Sequence, residues 1–441
     1  MMLLPWLVGC VHPTDIDPEP SDRALVFTGE RPRNVLMISI DTLRRDHVDR
    51  YATDGVTRMP FLSSLLQTGV ALDDHQQCGD WTFHSMTCTL LGRQTEEIGW
   101  VARPTGADPT PLPDQPMLAF RLDQAGYQSL LASTTGWLQD SWNNTRGYQP
   151  DLAHGVVQAT EVMDVALEGL SAALDTAPTK PWFLHAHLVE PHAAYDPPET
   201  YREELHALPP IPWDLDDHVE QYAAADSWPD LTPEMQDLLD RHLQARYDGE
   251  CRWLDDQLAV IWQRLESGGL LDDTLVVLYT DHGEAFWEHG VQSHAHFLQA
   301  EENDAILWFW SRTMEARAWS GPTTAIDLVP TVLDALGLPV PDDGTLPGSV
   351  VGLAAPDRAR FSSTACREGG LAAVTVEGDK LQFRFDGTLQ LYDRDLDRQE
   401  LVDRYDPEDP RVSELWELLR PRVELLSAAA PDLPVTWPAG N

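Results

Sequence analysis

Lysine is almost missing from this chain: Lys180 and Lys380 are the only two in 441 residues. Basic residues number 30 against 72 acidic ones, a net charge of −42, which excludes nucleic-acid binding through a basic surface. The five cysteines follow no zinc-module spacing, and no internal repeat is present. The apolar opening stretch, residues 1–10, is too short to span a bilayer. A disordered chain is excluded as well, because 42% of residues are hydrophobic and 8% aromatic, enough to bury a large core. An acidic surface repels anionic substrates, so an enzyme acting on phosphate or sulfate here needs a local positive centre. Metal ions and a few histidines would supply it.

Two apolar runs end in acidic residues. Asn34-Val-Leu-Met-Ile-Ser-Ile40 is followed by Asp41, and Thr274-Leu-Val-Val-Leu-Tyr-Thr280 by Asp281-His282-Gly283-Glu284. Continuous Val/Ile/Leu runs of this length read as strands buried on both faces of a parallel sheet, and ligands collect at the carboxyl ends of such strands. Asp41, Asp281 and His282 all fall there, and two carboxylates with an imidazole suit a divalent cation. Residues 128–132 and 182–188 are further strand candidates. Met59-Pro60 opens a short helix that stops at Gly69, and Thr232-Pro233-Glu234 caps a long helical pattern reaching Leu265, punctuated by Gly249. Residues 197–230 read as a Pro- and acid-rich irregular excursion. Beyond Pro339 come β-like segments at 371–376, 381–385 and 389–392 and a helix over 412–426. The expected fold is α/β: a large, mostly parallel central sheet with helices on both faces, plus a smaller C-terminal α+β subdomain.

Between the two acidic strands lies Asp80-Trp-Thr-Phe-His-Ser-Met-Thr-Cys-Thr-Leu-Leu-Gly-Arg93. Thr82 opens an apolar helix, where backbone N–H groups and the helix dipole favour an anion. Two readings are open on local grounds, a simple N-cap or a nucleophilic hydroxyl beside a metal.

The ordered set of segments resembles the sulfatase family of the alkaline phosphatase superfamily. Residues 34–50 look like its opening strand and first metal aspartate, and 82–92 are similar to its nucleophile segment. Glu190-Pro-His192-Ala-Ala-Tyr195-Asp-Pro-Pro198 resembles its Asp-Pro-His-x-Pro-Tyr stretch, and Thr280-Asp-His-Gly-Glu284 with Glu288-His-Gly290 and His294 its second metal loop. The resemblance spans about residues 34–426, and implies Asp41, Asp281 and His282 as metal ligands with Thr82 facing the same ion. His192 and His294 then fall where the family contacts the ester anion or protonates the leaving group, roles suited to imidazole. His185 and His187 read as strand residues, and His289 stays unassigned.

The departures redirect the chemistry. The family matures a Cys or Ser in a Cys/Ser-x-Pro-x-Arg context to formylglycine, but here the slot holds Thr82, with His84 and Met86 in place of Pro and Arg. Threonine cannot become the aldehyde, so no formylglycine is expected. Thr42 and His282 replace a second aspartate and an asparagine, and residues 126–147 contain no lysine. The implied enzyme is a metal-dependent hydrolase of a sulfate or phosphate ester, phosphate favoured, with Thr82 as nucleophile. The implied metal is Zn²⁺ or Mn²⁺, with Ca²⁺ an alternative. A phospho-group transferase and a catalytically inactive binding protein share these residues. The expected partner is a small-molecule, glycan- or lipid-linked anionic ester.

Leu7-Val8-Gly9-Cys10 resembles the lipobox of bacterial lipoproteins. It implies a signal peptide over 1–10 and export to the cell envelope with membrane attachment through lipidated Cys10, although no Lys or Arg precedes it. An acidic, Pro-containing tether over 11–33 follows, then a catalytic domain over 34–338 and the C-terminal subdomain over 339–441. Four cysteines then remain, Cys78, Cys88, Cys251 and Cys366, an even number that permits disulfides and leaves their pairing open.

Overall fold

The computed structural model describes residues 22–103, 110–149, 158–366 and 369–438. The lipobox with Cys10 and the tether as far as residue 21 lie outside these residues. Among them, no helix is long and apolar enough to cross a membrane.

The sheet that carries the site has seven strands: β1 (Asn34–Ile40), β2 (Val70–Leu72), β3 (Gln128–Ser133), β4 (Trp182–Leu188), β5 (Thr274–Thr280), β6 (Leu307–Trp310) and β7 (Arg317–Trp319). Their spatial order is β7-β2-β6-β5-β1-β4-β3. The pairs β5/β1, β1/β4, β4/β3 and β7/β2 are parallel, while β6 runs antiparallel to β5 and β2. The apolar runs around residues 34–40 and 274–280 therefore become adjacent central strands. Alternate residues serve opposite faces: Leu36 and Ile38 enter one hydrophobic core, Val35 and Met37 the other. Helices α1 (Pro60–Leu65), α2 (Thr82–Leu91), α3 (Ala159–Thr176), α4 (Pro233–Ser267) and α5 (Leu328–Ala335) cover these faces, α1, α3 and α4 on the first and α2 and α5 on the second.

The long helix α4 begins as its sequence signals: Thr232 accepts a hydrogen bond from the Met235 N–H at 3.4 Å and Pro233 occupies the first turn. Gly249 does not interrupt it. A Cβ there would meet the Pro197 ring at 2.8 Å and the Tyr201 carbonyl at 2.9 Å, so the glycine lets the 197–230 segment lie against the helix. That segment is less irregular than its composition suggests. Asp217 accepts from Val219 and Glu220 N–H groups at 2.8 and 3.2 Å and starts a helix, His218–Asp226.

The C-terminal part is a four-stranded antiparallel sheet, β8 (Arg360–Cys366), β9 (Gly369–Val376), β10 (Asp379–Arg384) and β11 (Leu389–Asp393), backed by α6 (Pro410–Ala429). Besides the short strands β2, β6 and β7, hydrophobic alternation does not reveal β8, since Ser362, Ser363 and Thr364 are polar and still buried. Ser362 and Ser363 are held by the Gln77 carbonyl and the Glu96 carboxylate. Cys78 and Cys88 are joined as a disulfide, and Cys251 is free and buried.

Candidate metal and nucleophile site

Strand register brings the site together. Ile40 is level with Thr280 on one side and Leu188 on the other, so Asp41 and Asp281 emerge side by side, one residue past the strand ends. Asp281 Oδ1 accepts from the N–H of Thr42 at 3.3 Å and of His282 at 2.9 Å. Thr42 takes φ 53°, a sparsely populated region for a β-branched residue, and this bend turns the chain after Asp41. Gly283 is required at the second loop, because a Cβ would lie 1.9 Å from the Glu301 carbonyl oxygen.

Asp41, Asp281 and His282 are buried, with one ligand atom from each within 4.8 Å of the others. His282 Nε2 lies 3.4 Å from Asp41 Oδ1 and 3.7 Å from Asp281 Oδ2. Its Nδ1–H donates to the Gly283 carbonyl at 2.9 Å, so when the ring is neutral the Nε2 lone pair faces the carboxylates, the arrangement a metal-binding imidazole takes. Asp281 Oδ2 has no hydrogen-bond partner, and a buried carboxylate oxygen left this way calls for a cation. The donor set of two carboxylates and one imidazole fits a divalent metal.

The electrostatics agree. Burial together with the charge of Asp41 raises Asp281 to about 6. Burial opposes charging of His282, but Asp281 and Asp41 outweigh it and raise the imidazole to about 10. Burial likewise opposes ionisation of Asp41, yet His192, His187 and His282 hold its carboxyl well below the usual range. The cluster thus gathers buried negative charge that a cation would balance.

Thr82 is the first residue of α2, and Trp81, not Thr82, occupies the N-cap position. Its Oγ1 turns instead to the acidic cluster, 3.5 Å from each Asp41 oxygen and 3.3 Å from His282 Nε2. Aromatic packing fixes this helix start: Phe83 stacks on Trp137 at 5.5 Å and meets Trp100 edge-on at 5.3 Å, and Trp81 meets Trp137 at 5.3 Å. Met86 is buried and receives the Tyr279 hydroxyl at 3.1 Å. His84 is a buried structural histidine bonded to Thr95, lowered to about 4 by burial.

His192 and His294 stand beside this cluster, their rings 5.1 Å apart, with His294 4.6 Å from His282. His294 donates from Nδ1 to buried Glu284 at 3.0 Å, leaving Nε2 as an acceptor, and burial lowers it to about 4 despite Glu284. Both neighbours of His294 are strained, Ser293 at φ 80° and Ala295 at φ 67°. His289 lies apart, bonded to Glu301 and the Glu400 carbonyl.

His187 reads in sequence as an ordinary strand residue, yet it joins the site. Its Nε2 is 3.3 Å from Asp41 Oδ2, and its Nδ1 is 2.9 Å from Ser39 Oγ. Ser39 also meets His185 Nε2 at 2.9 Å, and His185 Nδ1 meets the Tyr148 hydroxyl at 2.9 Å. The pairing of Ser39 with His187 across β1 and β4 is the signal, and it is visible only once strand register is known. Glu284, in the loop Asp281-His-Gly-Glu284, orients His294, a task its place in the sequence does not announce.

The Sulfatase family model matches residues 33–338. Arylsulfatase K of Bos taurus is 28% identical over 103 residues, a stretch that covers 23% of this chain and only 19% of that protein. A solved structure described as in complex with its substrate D-glucosamine-2-N,6-O-disulfate superposes with a TM-score of 0.71 at 16% identity, covering 91% of this chain and 99% of that one. Phosphonate monoester hydrolase from Silicibacter pomeroyi gives a TM-score of 0.67 at 21% identity, covering 89% and 94%.

Proposed function

This chain belongs to the sulfatase family, and we propose that it is a metal-dependent hydrolase of anionic esters, phosphate or phosphonate in preference to sulfate, acting through the unmodified hydroxyl of Thr82. The observation that carries this reading is the position of Thr82 Oγ1, 3.5 Å from both Asp41 oxygens and 3.3 Å from His282 Nε2. An N-capping threonine would spend that oxygen on its own helix.

Asp41, Asp281 and His282 would hold the cation, which supplies Lewis-acid stabilisation of charge on the ester oxygens when bound. Helix α2 directs its first N–H groups toward the same place and favours an anion there. Thr82 forms a bond to phosphorus as its O–H bond breaks, the bond to the alcohol breaks, and the proton ends on the alcohol. An ester anion beside His294 raises the proton affinity of that imidazole, so His294, oriented by Glu284, carries the proton the departing alcohol takes up. Water then attacks the threonine ester, releasing phosphate and restoring the hydroxyl. Burial of Met86 under Tyr279, where the family carries arginine, supports a site with no formylglycine chemistry.

The partner in this reading is an anionic ester of a small alcohol or a glycan. Export with a lipid on Cys10 belongs to the same proposal and rests on the sequence of residues 7–10. The test is a metal-supplemented panel of aryl phosphate mono- and diesters, phosphonate monoesters and sulfates, run with wild type, Thr82→Ala and Asp281→Ala. Turnover in wild type that both variants lose with fold intact supports the reading; turnover surviving in Thr82→Ala overturns it.

A further inference from the structure

The cavity next to His192 has a volume of about 570 Å³, room for a monosaccharide-sized group, and is lined among others by Glu190, Asp196, Arg202, Glu250 and Trp253. It opens on the same histidine whose ring stands 5.1 Å from His294, so whatever the ester carries on its alcohol side has this space beside it.

Two carboxyl groups in its wall have no assigned task. Glu190 and Glu250 are 8% and 6% exposed. Each spends one oxygen on the backbone: Glu190 Oε1 accepts from the Ala159 N–H at 3.0 Å, Glu250 Oε1 from the Asp196 N–H at 2.8 Å. The second oxygen of Glu250 has no hydrogen-bond partner, a costly state for a buried polar group, and that of Glu190 has only the Gln257 amide beside it. Burial raises Glu190 to about 7, the Gln257 amide beside it offsetting part of the rise, and burial with the charge of Glu190 raises Glu250 to about 8. Arg202 in the wall offsets Glu250 only in part, through its charge, because its hydrogen bonds go to Asp196, Asp216 and the Pro197 carbonyl. An apolar side chain in either position would avoid the cost, and a structural role would use a neutral glutamine equally well. A positively charged group in the cavity resolves both, pairing with the carboxylates while the Trp253 ring covers its apolar part.

We propose that this cavity is a leaving-group subsite that selects alcohols bearing an ammonium group, with Glu190 and Glu250 as its specificity-determining residues. The inference rests on the hydrolase reading for its biological meaning, but the binding it asserts needs no turnover. Calorimetric titration of the full chain with D-glucosamine and, as the neutral match, D-glucose separates the two. The expected result is tighter binding of glucosamine by about tenfold or more, the scale of one partly desolvated charge pair, with the preference falling toward unity in Glu250→Gln and in Glu190→Gln. Glutamine keeps the Oε1 acceptor for Asp196 or Ala159, so the loops stay in place and the loss reads charge alone. Equal affinity for the two sugars, binding of neither, or a preference that survives both substitutions overturns the proposal. A glucosamine preference in a chain that hydrolyses no ester leaves the cavity assignment standing and counts against the hydrolase reading alone.

Discussion

Thr82 Oγ1 and His282 Nε2 lie 3.3 Å apart across 200 positions of sequence. Neither reaches the other by local structure. The first is set by the start of an apolar helix pinned by tryptophans, the second by the loop after a central strand, and register alone makes them neighbours.

Removal of the cation should be visible without an assay. Asp41 and Asp281 sit buried beside one another, and a divalent ion bound to the folded state alone raises its stability by mass action. Thermal melts with Zn²⁺, Mn²⁺ or Ca²⁺ should exceed those in chelator, and the increment should vanish in Asp281→Ala. An increment of equal size in that variant would place the ion elsewhere.

His187 is expected to act through Asp41. With Ser39 on one nitrogen and Asp41 on the other, it fixes a carboxylate that the ion would use. Loss of such an outer partner costs about ten- to a hundredfold in metal affinity. Titration of His187→Ala with metal should show that loss, and Ser39→Ala a smaller one. Unchanged affinity in His187→Ala would make it an ordinary strand histidine, as its sequence context suggested.

The contrast shows what the sequence carries. Asn34–Ile40 and Thr274–Thr280 announce themselves as buried strands because no position is charged and most are Val, Ile, Leu or Met, and the acidic residues after them mark the site edge. Thr82 was legible only as an alternative between cap and nucleophile, since both begin a helix. His187 was illegible, because its role depends on which strand lies beside β4 and in what register. Glu190 and Glu250 were hidden for the same reason: one follows a strand, the other sits within a 35-residue helix, and only the fold places them on one cavity.

Acid should loosen the joint between the two sheets. Asp304, after β5 and before β6, pairs with Arg394 and Arg398 of the C-terminal part at 2.5 and 2.6 Å. Burial works to raise its carboxyl, but the two guanidiniums outweigh it and hold it far below the usual range. Its stabilisation is therefore present above the unfolded-state value of about 4 and lost as pH falls below it. Asp304→Asn should lose about 3 kcal/mol or more near neutrality, and its melting temperature should decline less steeply than wild type between about pH 4 and pH 2. Parallel pH profiles of the two proteins would contradict this.

Glu250 should show the opposite sign. Its folded-state value near 8 lies above that of the unfolded chain, so ionisation destabilises the fold as pH rises from about 4.5 through 8. Glu250→Gln should melt higher than wild type at pH 8 and equally at pH 4. A variant no more stable at pH 8 than wild type would mean that the carboxylate is already neutralised there.

The most direct test asks which atom takes the phosphoryl group. Metal-loaded wild type mixed with an aryl phosphate and quenched in acid within the first turnovers should yield a peptide phosphorylated on Thr82. Thr82→Ser should yield the same adduct on the serine, and Thr82→Ala none while also losing turnover. Phosphate transferred with no adduct on residue 82, or undiminished turnover in Thr82→Ala, would contradict the account.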